Sequence, residues 1–148
     1  MTRGSPDPRV VRRHLGALRD AGATLRLHAG HTAAELRANT ELRWTLERGL
    51  QLCAQNALDV ATHLVVAAGR EAADYATAID PLAEAGVFPA AFAARFRGVA
   101  GFRDVLVHGY LEVDLDLVQQ TVAGRLDEFE RFATFVEDFL ERASTGGN

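Results

Sequence analysis

Between Asn39 and Gly69 the chain keeps apolar side chains at helical spacing for longer than anywhere else, and this run limits the fold most. Leu42, Leu46, Cys53, Ala57, Val60 and Leu64 form one stripe in steps of three or four residues, with two turns between Leu46 and Cys53. Such a stripe is one face of an amphipathic helix, because about 3.6 residues complete a turn. Asn39 or Thr40 can cap its start, and Gly69 is a natural stop. The spacing predicts the longest helix of the molecule, at the centre of its core.

The flanking segments are helical too. Asp7 is placed to cap a helix opening at Pro8, with Val11, Leu15, Leu18 and Leu25 inward and an end near Gly30. Thr32 and Glu35 have the spacing of a capping box, which predicts a short helix. Asp80 is a candidate cap for another short helix starting at Pro81 and closed by Gly86. Pro89 opens a helix with Phe92, Phe96 and Val99 inward, running bent or straight into the segment around Arg103. Asp114 or Asp116 starts the last helix, whose stripe is Leu115, Val118, Val122, Phe129, Phe132, Val136 and Leu140. Leu111 to Leu117 alternates apolar and acidic residues, but a strand there would have nothing to pair with. The expectation is an all-α antiparallel bundle of four to five main helices, with one domain over 9–142, a flexible start over 1–8 and a frayed tail over 143–148.

A chain of 148 residues buries enough surface to fold without a disulfide or a structural metal. Its one cysteine, Cys53, lies on the central stripe and is expected in the core. The first eight residues have no apolar stretch resembling a secretory signal, and no apolar run approaches the roughly 20 residues that span a bilayer. A cytoplasmic protein with no membrane partner is expected. Net charge is −4, so bulk charge gives no support for nucleic-acid binding, and any affinity for RNA must come from a local patch. All sixteen basic residues are arginine. Lysine chemistry is therefore excluded, and any phosphate must be gripped by arginine or by backbone N–H groups.

Few residues suggest chemistry. The chain has no CxxC, HExxH or GxSxG motif and no glycine-rich phosphate loop. His28 and His31 straddle Gly30 with no third ligand evident, so no metal and no cofactor is expected. His14 and His63 fit helix-surface or partly buried positions. His108 differs in its neighbours, with Arg103 five residues before it and Tyr110 two after. Arginine grips phosphate with paired hydrogen bonds, and histidine moves protons near neutral pH. Together they can cleave an RNA phosphodiester without metal. On a straight helix, however, five residues turn through about 140°, so the two would not share a face. A break near Gly109, a guanidinium reaching round the helix, or a second subunit would each bring them together. From the residues alone, an inward-facing or capping histidine is the simpler reading.

The segment Gly101–Tyr110, with Arg103, Asp104, His108 and Tyr110, closely resembles the Arg-x4-His-x-Tyr signature of the HepT-like toxins, a branch of the HEPN superfamily. Glu47 to Leu52 resembles the family's Glu-Arg-Asn-Leu-Gln segment, and Ala57 to Leu64 resembles the helix after it. Tyr75, Leu82, Gly86 and Val87 fall where the family has a Tyr…Leu…Gly-Val pattern. The resemblance runs from Arg9 to Leu140. It implies an α-helical homodimer acting as a metal-independent endoribonuclease, with the two motifs facing across a cleft. Arg103 would then polarise the phosphate, His108 would be the general acid or base, and Asp104 would position them. Arg48, Arg95 and Arg97 are candidates for binding RNA. The resemblance further implies an MNT-type nucleotidyltransferase antitoxin that transfers AMP to Tyr110. Two positions depart from the pattern: Gly109 where glutamate is frequent, and Gly49 where asparagine is usual. These departures keep open a catalytically inactive module that binds nucleotide or RNA and docks the nucleotidyltransferase.

Overall fold

The structure is a computed structural model describing residues 4–71, 77–108 and 113–146, with only the backbone at 105, 107 and 108. The described residues form α-helices and no strand. They are α1 (Pro8–Arg26), α2 (Ala33–Ala38), α3 (Thr40–Ala67), α4 (Ile79–Glu84), α5 (Ala90–Phe96), α6 (Val99–His108), α7 (Leu115–Gly124) and α8 (Leu126–Thr145). The all-α class is as expected.

Local chemistry sets the helix ends. Asp7 accepts from the Arg9 N–H, with Pro8 in the first turn. Thr32 and Glu35 make both halves of the capping box. Asn39 accepts from the Leu42 N–H, so it, rather than Thr40, caps α3. Gly69 and Gly86 take left-handed φ values of 77° and 82°. The N–H of Arg70 reaches the Val65 carbonyl, and that of Val87 reaches the Leu82 carbonyl. Each helix thus closes with a 6→1 bond that a residue bearing a Cβ would strain to make.

α1 and α3 run antiparallel. The Asp7 N–H donates to His63 Nε2 at 3.1 Å, His14 Nδ1 bonds Asn56 Oδ1 at 2.8 Å, and the Cys53 thiol meets the Leu18 carbonyl at 3.8 Å. As the number on α1 rises, its partner on α3 falls. α8 also runs antiparallel to α1, joined at its rim by Arg12–Glu137 and Arg19–Glu130. Val11, Leu15, Leu18 and Leu25 of α1, Leu46, Leu50, Cys53 and Ala57 of α3, and Phe132, Val136 and Leu140 of α8 are buried. Gly49 sets how closely α1 and α3 approach, since a Cβ there would lie 2.6 Å from Leu25 Cδ2.

Several expected boundaries move. α1 ends at Arg26, and residues 27–30 form a turn instead of a last helical stretch to Gly30. α4 starts at Ile79 without a side-chain cap. Asp80 lies inside its first turn, where Pro81 is tolerated because no N–H is needed there. Asp80 bonds Arg97 instead. The stretch after Pro89 breaks at Arg97–Gly98 into α5 and α6.

The expected last helix is two helices. Asp114 caps α7, and the chain leaves helical geometry at Arg125, with φ −126° and ψ 5°, before α8. The Arg125 guanidinium bonds both oxygens of the buried Glu128, at 2.6 and 3.1 Å, and donates to the Arg95 carbonyl at 3.5 Å. It thereby ties the α7–α8 junction to the end of α5. Among the described residues, no helix is long and apolar enough to cross a membrane.

Candidate functional site

α3 has a second face. Taking Gln55 as reference, Trp44, Arg48, Gln51, Asp59, Thr62 and Val66 all fall within about 40° of it around the helix axis. This face turns away from α1, and its centre meets α6. There the Arg103 Nε donates to Gln55 Oε1 at 2.7 Å, and Arg103 Nη1 donates to Asp104 Oδ1 at 3.0 Å. Gln55 Nε2 in turn donates to Asp59 Oδ1 at 2.9 Å, one turn further along α3. The Arg103 side chain is 21% exposed, whereas that of Asp104 is 61% exposed. The guanidinium is thus held from two sides, by an amide on another helix and a carboxylate on its own.

The carboxylate keeps one edge of the fork oriented and electrically balanced. The amide of Gln55 is oriented because its own N–H is taken by Asp59. This Asp59–Gln55–Arg103 relay crosses from α3 to α6 and fixes a cation at the rim of the bundle. An oriented guanidinium suits an anionic group, since its planar N–H pairs match phosphate oxygens.

Of the residues singled out from the sequence, Arg103 and Asp104 come together directly. His108 is the last residue of α6, which is unbroken from Val99, so positions 103 and 108 stand about 140° apart on one helix. The His108 side chain and all of Gly109 and Tyr110 lie outside the described residues, as does Tyr75. Arg48 is exposed on the same α3 face two turns before Gln55 and donates to Gln51 Oε1 at 3.2 Å. Arg97 is engaged by Asp80 through two bonds, at 3.1 and 3.2 Å. Arg95 is exposed in the last turn of α5.

Gln55 and Asp59 were not foreseen. Polar residues on an amphipathic helix ordinarily mark its solvated side. Their signal was the spacing of Gln51, Gln55 and Asp59 by four in line with Arg48.

The other histidines lie away from this relay. His14 and His63 are half-buried and bonded between α1 and α3. His28 and His31 lie in the loop between α1 and α2, partly exposed. Their rings stack at 5.5 Å, and His31 Nδ1 bonds Glu35 at 2.7 Å, which holds the Glu35 carboxyl below its ordinary range. Burial pushes the Cys53 thiol up to about 12, so it stays protonated and unreactive.

The sequence matches the family model described as ribonuclease HepT-like over residues 17–136, well over half of its length. The chain belongs to the HepT-like family. No curated protein matches it. Its fold is that of solved HEPN toxins. A tri-AMPylated HEPN toxin from Shewanella oneidensis, in complex with an MNT antitoxin, superposes with a TM-score of 0.76 at 18% identity, covering 87% of this chain and 97% of that one. A toxin–antitoxin structure with AMP-PNP gives 0.77 at 17% identity, over 87% and 98%. The Bacillus subtilis cytosolic protein YutE gives 0.77 at 18% identity, over 92% of each chain. At such identities the likeness is one of fold, and the local geometry must carry the argument about chemistry.

Proposed function

We propose that this chain is the ribonuclease toxin of a toxin–antitoxin pair, cleaving RNA through Arg103 and His108 without a metal. The observation that carries the reading is the Arg103 guanidinium, oriented by Gln55 and Asp104 at the rim of α6, five residues before His108. Family membership supports it.

In the reaction, His108 takes the proton of the ribose 2′-hydroxyl as the 2′-oxygen attacks phosphorus. Arg103 neutralises the charge that builds on the non-bridging oxygens. The 5′-oxygen leaves with a proton from a general acid, giving a 2′,3′-cyclic phosphate and a 5′-hydroxyl end. Asp104 keeps Arg103 in place. The 140° between positions 103 and 108 favours a site completed by a second copy of the motif across a homodimer cleft, one histidine serving as base and the other as acid.

The partner in this reading is an MNT-type nucleotidyltransferase. The Shewanella oneidensis toxin is AMPylated and bound to an MNT antitoxin. Here Tyr110 is the acceptor: its phenol oxygen attacks the α-phosphorus of ATP and releases pyrophosphate. The added AMP would bring bulk and negative charge two residues along the chain from His108, opposing the RNA backbone. Gly49 does not argue against activity. It serves the α1–α3 contact through Leu25, about 120° round α3 from Gln55.

The test is growth and cleavage together. Expression of the wild-type chain should arrest growth, and the purified protein should cut RNA equally well in EDTA. Arg103→Ala and His108→Ala should each abolish both effects. Wild-type protein that never cuts RNA would leave only a binding module. Intact mass after co-expression with the nucleotidyltransferase should show added AMP that disappears in Tyr110→Phe and persists in Tyr75→Phe.

A further inference from the structure

The α3 face that orients Arg103 continues beyond it, and its N-terminal end carries an exposed indole. Trp44 is 63% exposed, although it is the one tryptophan of the chain. A single exposed apolar side chain is ordinary on a protein surface. Trp44 differs in its alignment. It lies eleven residues before Gln55, about three turns and 16 Å along the helix, and within about 20° of the same line. Arg48 and Gln51 stand between them on that line, already bonded to each other through one of the five arginine N–H donors.

The charges nearby say which part of a nucleotide this face suits. Glu41 and Glu47 flank Trp44 and Arg48 on α3, and burial holds the Glu47 carboxyl above its ordinary range. Arg43 offsets part of the Glu47 shift and is thus balanced by that carboxylate, so Arg48 is left as one exposed arginine among carboxylates, a weak phosphate site. An exposed indole with an arginine one turn away instead offers a flat apolar surface with hydrogen-bond donors at its edge. That combination stacks a base and meets its polar rim, whichever base it is.

We propose that Trp44 is the stacking platform of a subsite for single-stranded RNA, holding a base of any identity several nucleotides from the phosphate held at Arg103, with Arg48 and Gln51 along the path between. The proposal rests on the ribonuclease reading for the role of Arg103. The separation corresponds to about five nucleotides at the roughly 3.4 Å rise of a stacked strand, and to fewer in an extended one. The subsite therefore engages oligonucleotides and not dinucleotides, and it favours unpaired RNA, because a paired base has no free face to offer.

Trp44 is its own reporter. A hexaribonucleotide with 2′-O-methyl groups has no nucleophile and cannot be cleaved, so binding is read apart from chemistry. Titrated into the wild-type protein, it should quench the tryptophan emission to saturation, whereas the matching dinucleotide should not. By fluorescence anisotropy of a labelled hexamer, Trp44→Ala should weaken binding on the order of tenfold. Trp44→Phe should recover most of that loss, and Leu27→Ala, at an exposed position off this face, should change nothing. Hexamer bound by anisotropy without quenching would overturn the subsite and leave the ribonuclease reading standing. Quenching without cleavage of the unmodified hexamer would support the subsite and sink the ribonuclease reading. A blue shift of the emission with protein concentration alone would mean that a second copy covers Trp44, and would overturn the subsite.

Discussion

The two faces of α3 are built from opposite materials. Toward α1 the helix presents Leu46, Leu50, Cys53, Ala57 and Leu64, buried and close-packed, with Gly49 allowing the backbones to approach. Toward α6 it presents Arg48, Gln51, Gln55 and Asp59, half-buried or exposed, each with a hydrogen-bonded partner. The first face holds the fold through area and shape, which are forgiving of direction. The second holds one guanidinium through the direction of its hydrogen bonds. A single rigid rod carrying both means that the orientation of Arg103 is referenced to the core itself.

Substitutions on the two faces should therefore separate stability from activity. The largest effect expected is Arg103→Ala, which should lower RNA cleavage by on the order of 100- to 1,000-fold, as for loss of a group that stabilises transition-state charge. Its denaturation midpoint should fall less than that of a core truncation, because its partners Gln55 and Asp104 are partly exposed. On the opposite face, Leu50→Ala should cost about 2–5 kcal/mol in chemical denaturation, with cleavage per folded molecule unchanged. If Leu50→Ala and Arg103→Ala lowered stability alike, the division between the faces would be wrong.

Gln55→Ala sharpens the comparison, because it removes the bond from α3 to the Arg103 Nε. It should lower kcat about tenfold or more, consistent with a charge-assisted hydrogen bond worth about 1.5–3 kcal/mol. In an Arg103→Ala background it should do nothing further, and an additive loss would remove the relay from the account. Gly49→Ala should destabilise by about 1–2 kcal/mol net, since overpacking against Leu25 exceeds the roughly 1 kcal/mol that alanine adds in helix propensity. The smallest effect belongs to Arg12→Ala, which removes a rim ion pair with Glu137 and should shift stability by less than about 1 kcal/mol.

The helix starts at Pro8, Ala33 and Thr40 were legible because their caps are local: Asp7, the Thr32–Glu35 box and Asn39 each signal within a few residues. The breaks at Arg97–Gly98 and Arg125 were not. Val122 and Phe129 are two turns apart, so the apolar stripe keeps its phase across the α7–α8 junction, and no proline marks it. What bends the chain there is tertiary: Arg125 bonds a buried carboxylate and the end of α5. The candidate site divides similarly. Arg103 and Asp104 stood out through a contiguous motif, whereas Gln55 and Asp59 belong to it only through packing of helices 48 residues apart in the chain.

The contact between Gly49 and Leu25 also constrains how this sequence can drift. The missing Cβ at one position is occupied by the isobutyl group of the other, so neither can enlarge alone. A relative with asparagine at the first position must have ceded volume at the second, or moved α1 outward. The two positions should covary as an exchange of volume, and this pair offers a way to infer, from a relative's sequence alone, how far its first helix stands from its third.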